Sequence, residues 1–301
     1  KLKIHVQVMP AIVKPGAIIG ILHDGVAQSC GINRASLIAV GSHDTASAYA
    51  AAPVENIDEA LIVSSGTWSL VGKLVPEPIT SKRAMEWNFS NEGGIGNVRL
   101  LKNCMGSWLV QELRRAWRIK DGREASWKEL DQTTVESQPF IAMIDPDDKG
   151  FYNPANMEDA IAAYCARTRQ PVPPSRGSFL RTVYESLAFK YRLVNEQLAK
   201  VTGVPNKVVH IVGGGSKNVM LNQYTADCLG LPVVAGPEEA TAVGNIMVQA
   251  MGLGLIAAMR DALPIIRRAF PIRDYTPQNT VEWDRQYRKF KRPKRHNHLL
   301  F

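Results

Sequence analysis

The amino-acid sequence predicts an α/β fold in which helices flank a mixed sheet. Its carboxy-terminal half repeats a strand, a turn and a helix, written KVVHIV, GGGSKN and VMLNQYTADCLG, and then continues with LPVVAG and EEATAVGNIMVQAMG. Strands joined in this way lie parallel, with right-handed crossovers. Two glycine-turned strand pairs, NIDEALIVSSGTWSLVGKLV and WNFSNEGGIGNVRLL, precede this unit. Antiparallel strands followed by alternating helices and strands are typical of a ribonuclease-H-like, actin-type domain.

The remaining segments are assigned from hydrophobic periodicity. The short apolar run from Leu37 to Val40 predicts a buried strand. Apolar residues at helical spacing predict a helix from Met105 to Trp117 and a long amphipathic helix from Gly177 to Lys200. Residues 118 to 172 have a mixed pattern, with loops expected at IDPDDKGFYNP and RQPVPP.

Composition and cysteine spacing favour a soluble protein. Hydrophobic residues make up 45% and charged residues 21% of the 301 residues, which is ordinary for a globular protein. The longest nearly uncharged run, Ala240 to Met259, is interrupted by Asn245, Gln249 and glycines, so we expect a packed helix and no membrane span. The four cysteines lack a C-x-x-C pair, so the sequence predicts no metal site, no disulfide framework and a cytoplasmic location. They are Cys30, Cys104, Cys165 and Cys228.

The formal net charge is +8, and much of it lies in the run from Lys289 to His298. Such a run can bind nucleic acid or an anionic membrane. No basic patch interleaved with aromatic residues accompanies it, so we expect a solvated, disordered terminus without a nucleic-acid partner.

Two glycine-containing turns are candidate nucleotide contacts. In HIVGGGSKN, the backbone amides of Gly213 to Gly215 can approach a ligand between a strand and a helix. A tight structural turn supported by Asn218 is the alternative. In SSGTWSL, backbone amides and the Thr67 hydroxyl can cradle phosphate, and an ordinary hairpin turn anchored by Trp68 is the alternative.

Asp44 lies in VGSHDTASAYAA, among small and mostly uncharged residues. The sequence predicts that it is the N-cap of a helix, where the helix dipole keeps a carboxylate ionised and able to act as a base. Ser42, His43 and Asp44 cannot form a Ser-His-Asp triad, because neighbours in an extended segment point to opposite sides. The capping and the catalytic interpretations are compatible, and the residues alone leave both open.

Together these segments resemble the FGGY family of carbohydrate kinases. The resemblance extends from about residue 10 to about residue 275, and is carried by GSHDTASA, SSGTWSL, NFSNEGG, RLLKNCMGSWLVQELRR and HIVGGGSKNVMLNQYTADCLGLPVVAGPEEATAVGNIMVQA. It implies a kinase that uses ATP and Mg²⁺ to phosphorylate the 1-hydroxyl of a ketose. L-rhamnulose is the expected sugar, and another ketose such as L-fuculose is the alternative.

The resemblance also implies roles for particular residues. Asp44 is expected to be the general base that removes the proton from the 1-hydroxyl. His43, Thr45 and Asn103 are expected to contact the sugar. The residues expected to contact the nucleotide are Thr67, Gln111, Gly213, Gly214, Gly215 and Asn218.

The family has two actin-like domains with ATP and sugar between them, and its amino-terminal phosphate loop has no counterpart in this sequence. We therefore expect residues 1–55 to be the last segment of the first domain, 56–275 the second domain and 276–301 a basic tail. Most of the first domain is then a missing partner. A non-catalytic nucleotide-binding or interaction module of actin-like fold is the alternative function.

Overall fold

The amino-terminal part of the chain forms a small sheet and two short helices. The computed structural model describes residues 5–291. Antiparallel strands β1 (Ile18–Ile21) and β2 (Ser36–Ile38) flank helix α1 (Asp24–Cys30), and helix α2 (Asp44–Ala50) follows.

The strand predicted at Leu37 to Val40 is present as β2, but the prediction that it is buried is wrong. Leu37 is 42% exposed, and Ile18, Ile19 and Ile21 of β1 are each more than half exposed. In a sheet of two strands each strand has a single hydrogen-bonded neighbour, so little of the apolar surface is covered.

Seven strands within the described residues form the central mixed sheet. In chain order they are β3 (Ala60–Ser65), β4 (Trp68–Val75), β5 (Ser90–Gly93), β6 (Val98–Met105), β7 (Val208–Val212), β8 (Val233–Ala235) and β9 (Arg273–Tyr275). The order across the sheet is β5-β6-β4-β3-β7-β8-β9. β7 is parallel to β3 and β8, and the other neighbours are antiparallel. The predicted mixed sheet is confirmed.

The other helices in the described chain are α3 (Lys82–Glu86), α4 (Trp108–Asp121), α5 (Trp127–Glu136), α6 (Met157–Arg167), α7 (Arg176–Thr202), α8 (Val219–Leu229), α9 (Ala240–Gly252), α10 (Leu263–Ala269) and α11 (Thr280–Phe290). Short 3₁₀ helices span Val6–Val8, Ile57–Glu59, Lys149–Phe151, Gly214–Lys217 and Met259–Ala262.

Helices cover both faces of the sheet. Side chains alternate along a strand, so Leu61 and Val63 of β3 enter the core under α4, α7 and α8, while Ile62 enters the core under α2, α9 and α10. All three side chains are 0% exposed. A strand buried on both faces explains the continuous apolar run in this part of the sequence.

The two predicted long helices are present with small changes at their ends. α7 begins after Ser175, whose Oγ accepts the amide hydrogen of Ser178, and it ends at Gly203. α4 begins at Trp108, three residues later than predicted, because the amide of Gly106 instead donates to the carbonyl of Thr67 at 3.1 Å. The run from Ala240 forms α9, and no helix among the described residues is long and apolar enough to cross a membrane.

Periodicity failed to identify α5, α6 and β9. α5 begins with a capping box, in which the Ser126 Oγ accepts from the Glu129 amide and the Glu129 carboxylate accepts from the Ser126 amide. This S-x-x-E pattern was a usable signal in the sequence. β9 is the outermost strand of the sheet and pairs antiparallel with β8. It has three residues, and a strand this short carries almost no periodicity.

The segment expected to be a basic tail contains α11, which packs on the domain. Trp283 and Tyr287 are each 3% exposed and contact the ring of Phe189 on α7. The expectation of a disordered terminus is therefore wrong for Lys289, which lies within α11. The rest of the basic run, from residue 292, lies outside the described residues.

Candidate active site

Two glycine turns meet at one edge of the sheet. In the parallel pair β3 and β7, Ser64 lies opposite Val212, so both strands end at the same edge. A Cβ added at Gly215 would lie 2.0 Å from the Oγ of Ser65, so the turn after β7 presses on the end of β3. Gly213 has a φ of 83°, which glycine adopts without strain. Ligands of open α/β sheets bind outside the carboxyl ends of the strands, so this edge is a candidate nucleotide site.

The start of α4 joins the same edge. The amide of Ser107 and its Oγ donate to the carbonyl of Gly66 at 3.0 and 2.7 Å, and the amide of Gly106 donates to the carbonyl of Thr67. The Nε2 of Gln111 donates to the Ser107 Oγ at 3.2 Å. These bonds bring Thr67 and Gln111, which are 44 positions apart in the sequence, to one place.

Thr67 presents a free hydroxyl at this edge. It is exposed, and within the described chain its hydroxyl makes no hydrogen bond. Trp68 is 43% exposed, with its ring centroid 6.2 Å from that of Tyr152. The turn joins the antiparallel hairpin β3–β4, as the structural alternative requires, but Trp68 is not buried. A phosphate contact at Thr67 stays a prediction.

Asn218 supports the second turn. Its Oδ1 accepts the amide hydrogen of Leu221 at 2.9 Å, and it is the N-cap of α8. Gly214 is exposed and begins the 3₁₀ helix that leads to this cap. The predicted capping role of Asn218 is confirmed, and a contact with the nucleotide stays a prediction.

Asp44 is the first residue of α2, and the prediction that it is the N-cap is wrong. The N-cap is His43, whose backbone is extended (φ −107°, ψ 133°), and the helical conformation begins one residue later. The Asp44 Oδ1 accepts from the amide of Thr45 at 2.6 Å and from its hydroxyl at 3.2 Å. The Asp44 side chain is 75% exposed, so its carboxylate is fixed on one side and open on the other.

Charged groups surround the start of α2. The His43 Nδ1 lies 3.6 Å from the Asp44 Oδ1 and 3.9 Å from the Glu92 Oε2. The same Glu92 oxygen lies 3.1 Å from the Nη2 of Arg99, which is 1% exposed. Burial lowers the pKa of Arg99, and the charges of Glu92 and Asp44 act in the opposite direction.

Asn103 lies on the side of the sheet that α2 covers. Arg99, Leu101 and Asn103 alternate along β6, and Leu101 belongs to the core under α2. Asn103 pairs with Leu70 of β4, is exposed, and forms no side-chain hydrogen bond within the described residues. Its amide is therefore free to contact a ligand on the side where Asp44 lies.

Thr45 differs from the other predicted sugar contacts because it is buried. It is 5% exposed, and its hydroxyl donates to Asp44. This geometry suits a side chain that orients the Asp44 carboxylate.

The helix that carries Asp44 is locked to the sheet and to α9. The Tyr49 hydroxyl lies 3.2 Å from the carbonyl of Ile62 and 3.1 Å from that of Leu70. A Cβ added at Gly244 of α9 would lie 1.8 Å from the carbonyl oxygen of Ser47. α9 itself follows the turn after β8. In that turn the carbonyl of Pro237 accepts the amide hydrogen of Gly213 at 3.0 Å. A chain of direct contacts thus links Asp44 to the glycine turn.

Sequence reasoning missed Glu92 and Arg99. Glu92 lies in NFSNEGG, a motif that carries the family resemblance, and Arg99 is its cross-strand partner in the β5–β6 register. The usable signal was a pair of opposite charges, Glu92 and Arg99, on two strands that the sequence predicts to be adjacent.

The mixed sheet with helices packed on both faces defines an α/β protein. Residues 61–253 match the model of the FGGY family of carbohydrate kinases, C-terminal domain. The chain belongs to the FGGY family of carbohydrate kinases.

Among curated relatives, the chain is similar to proteins named rhamnulokinase. It is 44% identical over 278 residues to that of Bacteroides thetaiotaomicron, covering 92% of this chain and 56% of the relative. It is 36% identical over 274 residues to that of Bacillus subtilis, covering 91% and 56%. It is 41% identical over 256 residues to that of Pectobacterium carotovorum, covering 85% and 50%. The chain spans about half the length of these relatives.

Solved structures confirm the fold. A xylulose kinase from Rhodospirillum rubrum superimposes with a TM-score of 0.69 at 18% identity, covering 95% of this chain and 57% of that one. A ligand-bound xylulose kinase from Lactobacillus acidophilus gives 0.71 at 14% identity, covering 96% and 57%. The predicted actin-like α/β fold, with a mixed sheet flanked by helices, is therefore correct.

Proposed function

We propose that this chain is part of an ATP-dependent sugar kinase that converts L-rhamnulose and ATP to L-rhamnulose 1-phosphate and ADP. The names of the relatives at 36–44% identity support the choice of sugar. The observation that carries the proposal is the exposed Asp44 carboxylate at the start of α2, a helix that packs on α9, which in turn follows the β8 turn bonded to Gly213.

Asp44 is the proposed general base. It takes the proton of the ketose 1-hydroxyl while that oxygen bonds to the γ-phosphorus, and the bond from the γ-phosphorus to the bridging oxygen breaks to release ADP. The amide and the hydroxyl of Thr45 fix the Oδ1 of Asp44. The Oδ2 of Asp44 makes no hydrogen bond within the described residues. A placed base contributes about 10²- to 10⁴-fold to such a reaction.

The sheet edge is the proposed nucleotide site. The free Thr67 hydroxyl and the amides of the adjoining turns suit phosphate oxygens, and Gln111 is held beside them by Ser107. The nucleotide residues in this proposal are Thr67, Gln111, Gly213, Gly214, Gly215 and Asn218. Mg²⁺ enters with ATP as part of the substrate and neutralises charge on the phosphates.

The proposed sugar contacts are His43 and Asn103, which are exposed near Asp44 and on its side of the sheet. Thr45 orients the base. The Glu92 Oε2 lies 3.1 Å from the Arg99 Nη2 and 3.9 Å from the His43 Nδ1, so Arg99 positions a negative charge beside His43.

The predicted boundary at residue 55 moves to the start of α2, because α2 packs into one core with β3, β6 and α9. We also propose an amino-terminal kinase domain as the partner of this chain, with residues 1–43 belonging to that domain. The coverage of about half of each relative supports this, as do the exposed isoleucines of β1. The second domain then covers at least residues 44–275, and the packing of α11 argues for extending it to Phe290. A cytoplasmic location is supported by the free state of all four cysteines.

The test is phosphoryl transfer by the chain when the missing half is supplied. The chain would be fused behind the non-matching amino-terminal part of the Bacteroides relative, and ADP release measured with L-rhamnulose, L-fuculose and D-xylulose. We expect L-rhamnulose to give the highest kcat/KM. A preference for L-fuculose would reject the substrate, and absence of turnover with every ketose would reject the kinase assignment.

The alternative, a non-catalytic nucleotide-binding or interaction module, makes a different prediction. Calorimetry on the isolated chain would then show ATP binding that no ketose changes, and the fused protein would show no sugar-dependent ADP release.

A further inference from the structure

Lys190 of α7 lies between two aspartates of the loop that precedes the 3₁₀ helix Lys149–Phe151. Lys190 is 6% exposed, and its Nζ lies 2.7 Å from the Oδ2 of Asp147 and 3.0 Å from the Oδ1 of Asp145. Burial favours the neutral amine, but the charges of the two aspartates outweigh it and raise the pKa of Lys190. Lys190 is therefore charged, and it fixes one oxygen of each carboxylate.

The other oxygen of Asp147 holds the end of strand β6. Its Oδ1 accepts the amide hydrogen of Met105, the last residue of β6, at 2.7 Å. Within the described residues, β5 pairs only with residues 98–101 of β6, so Met105 has no neighbour in β5. Met105 is 1% exposed, and a buried amide needs an acceptor, which Asp147 supplies.

The backbone next to Met105 packs against the turn that contains Thr67. The amide of Gly106 donates to the carbonyl of Thr67 at 3.1 Å. A Cβ added at Gly106 would lie 2.8 Å from the carbonyl oxygen of Gly66. Because both are contacts with backbone atoms, a shift of Met105 and Gly106 would also move the turn that carries the Thr67 hydroxyl.

The loop that carries Asp147 reaches the same turn by a second route. The carbonyl of Phe151 accepts from the Nε1 of Trp108, and the backbone amide of Trp108 donates to the carbonyl of Thr67, each at 3.1 Å. The loop is thus joined to the turn through the end of β6 and through the start of α4, while Lys190 joins it to α7.

We propose that Asp147, held by Lys190, is a positioning residue for the turn that contains Thr67. It fixes Met105 and Gly106, and through them the place of the Thr67 hydroxyl that meets a phosphate oxygen of ATP. In this role Asp147 acts through the backbone and needs no contact with the nucleotide. The inference rests on the proposed function for the assignment of Thr67 to ATP, whereas the coupling of Asp147 to the turn stands without it.

A buried ion pair can also act on stability alone, and Glu185 provides a matched control for that role. Its carboxylate pairs with Arg181 at 2.8 Å and accepts the amide hydrogen of Phe140 at 2.9 Å. The segment that it holds packs on α11, where the ring centroid of Phe140 lies 4.9 Å from that of Trp283. A purely structural role predicts that Glu185→Ala and Asp147→Ala have the same effects.

The first test is amide hydrogen exchange, followed by NMR on the 301-residue chain without nucleotide. Asp147→Ala should speed exchange at Gly106 and Trp108 roughly five- to tenfold relative to the core amide of Ile211, a ratio that corrects for lower global stability. The double variant Lys190→Met, Asp147→Asn removes the charges but keeps an acceptor for the strand end. It should keep the ratio within about twofold of the unaltered chain.

The second test measures steady-state kinetics in the fused protein. Asp147→Ala should raise the KM for ATP roughly five- to tenfold, with kcat within about twofold and the KM for the ketose unchanged, because the base is untouched. The double variant should keep the original KM for ATP. Glu185→Ala should lower the free energy of unfolding and leave both KM values and the exchange at Gly106 unchanged.

The inference is wrong if Asp147→Ala leaves exchange at Gly106 and Trp108 unchanged, or if Glu185→Ala or the double variant speeds it equally. It is also wrong if exchange at the turn is faster but the KM for ATP is not raised. Exchange is measured without turnover, so its failure is distinct from that of the proposed function, in which the unaltered fused protein releases no ADP with any ketose. In that case faster exchange in Asp147→Ala still supports the positioning of the turn.

Discussion

Gly244 of α9 lies directly against the carbonyl group of Ser47 in α2. A Cβ added at Gly244 would lie 1.8 Å from the Ser47 oxygen and 2.6 Å from the carbonyl carbon. Both atoms belong to the backbone and cannot move aside as a flexible side chain does. The two helices therefore cross at a point where only glycine fits on α9. On α2 this point is Ser47, three residues after the proposed base Asp44.

The first prediction follows from this crossing. Gly244→Ala should lower the free energy of unfolding by about 1–3 kcal/mol, because overpacking exceeds the gain of about 1 kcal/mol in helix propensity. Urea unfolding followed by circular dichroism measures the change. Gly20→Ala is the control, since a Cβ there meets nothing within 4 Å. Equal stability of the two variants would contradict the tight crossing.

The second prediction concerns the base. In the fused protein, Asp44→Asn should lower kcat by about 10²-fold or more while leaving ATP binding intact, because a placed base contributes that much. Coupled detection of ADP gives kcat, and calorimetry gives the affinity for ATP. A variant that keeps more than a tenth of the original kcat would remove Asp44 from this role.

A matched control for Asp44 exists in the same chain. Asp24 is also the first residue of a seven-residue helix, follows a histidine N-cap, and has a side chain that is 75% exposed, although it also pairs with Arg34 at 2.8 Å. Asp24→Asn should therefore reproduce any effect of losing a helix-start carboxylate while leaving kcat unchanged.

The third prediction separates the nucleotide from the sugar. Thr67→Ala should raise the KM for ATP several-fold through loss of a hydroxyl contact with phosphate, and Thr67→Ser should restore it. The KM for the ketose should not change. Steady-state kinetics with each substrate varied in turn decides this. An equal effect of Thr67→Ala and Thr67→Ser would show that the hydroxyl is not the contact.

Asn103 gives the converse result, and this is the fourth prediction. Asn103→Ala should raise the KM for the ketose and leave the KM for ATP unchanged, because its free amide lies on the α2 side of the sheet. Since Asn103 is exposed and makes no hydrogen bond within the described chain, the unfolding temperature should be unaltered. A rise in the KM for ATP instead would assign Asn103 to the nucleotide.

The sequence was informative where local chemistry sets the structure. The glycine turns, both hairpins, α7 and the βαβα unit were predicted because periodicity and turn residues act over a few positions. The exposure of β2 was not predictable. Leu37 is apolar, and it is exposed because its sheet has only two strands, which the local sequence does not specify. The pairing of Glu92 with Arg99 depends on strand register, which a single sequence specifies weakly.

Two buried ionisable groups should give opposite dependences of stability on pH. Burial raises the pKa of Glu185 to about 7, although Arg181 and the amide of Phe140 favour its carboxylate. Burial, with a contribution from Arg267, lowers the pKa of His210 to about 4. Their ordinary values are 4.5 and 6.5. Between pH 4.5 and 7 we therefore expect Glu185 to keep a proton in the folded chain that the unfolded chain has lost. Between pH 4 and 6.5 we expect His210 to have lost, in the folded chain, a proton that the unfolded chain keeps.

The fifth prediction uses this opposition. The contribution of Glu185 to the free energy of unfolding falls as pH rises from 4.5 to 7. The contribution of His210 rises as pH rises from 4 to 6.5. The two slopes nearly cancel between pH 4.5 and 6.5. Glu185→Gln removes one slope, so its free energy of unfolding should rise with pH by about 1.4 kcal/mol per unit more than that of the unaltered chain. Urea titrations at several pH values measure this. His210→Asn should give the opposite slope, and Glu77→Gln at an exposed position should give none. Parallel curves for Glu185→Gln and the unaltered chain would mean that Glu185 is ionised in the folded state throughout this range.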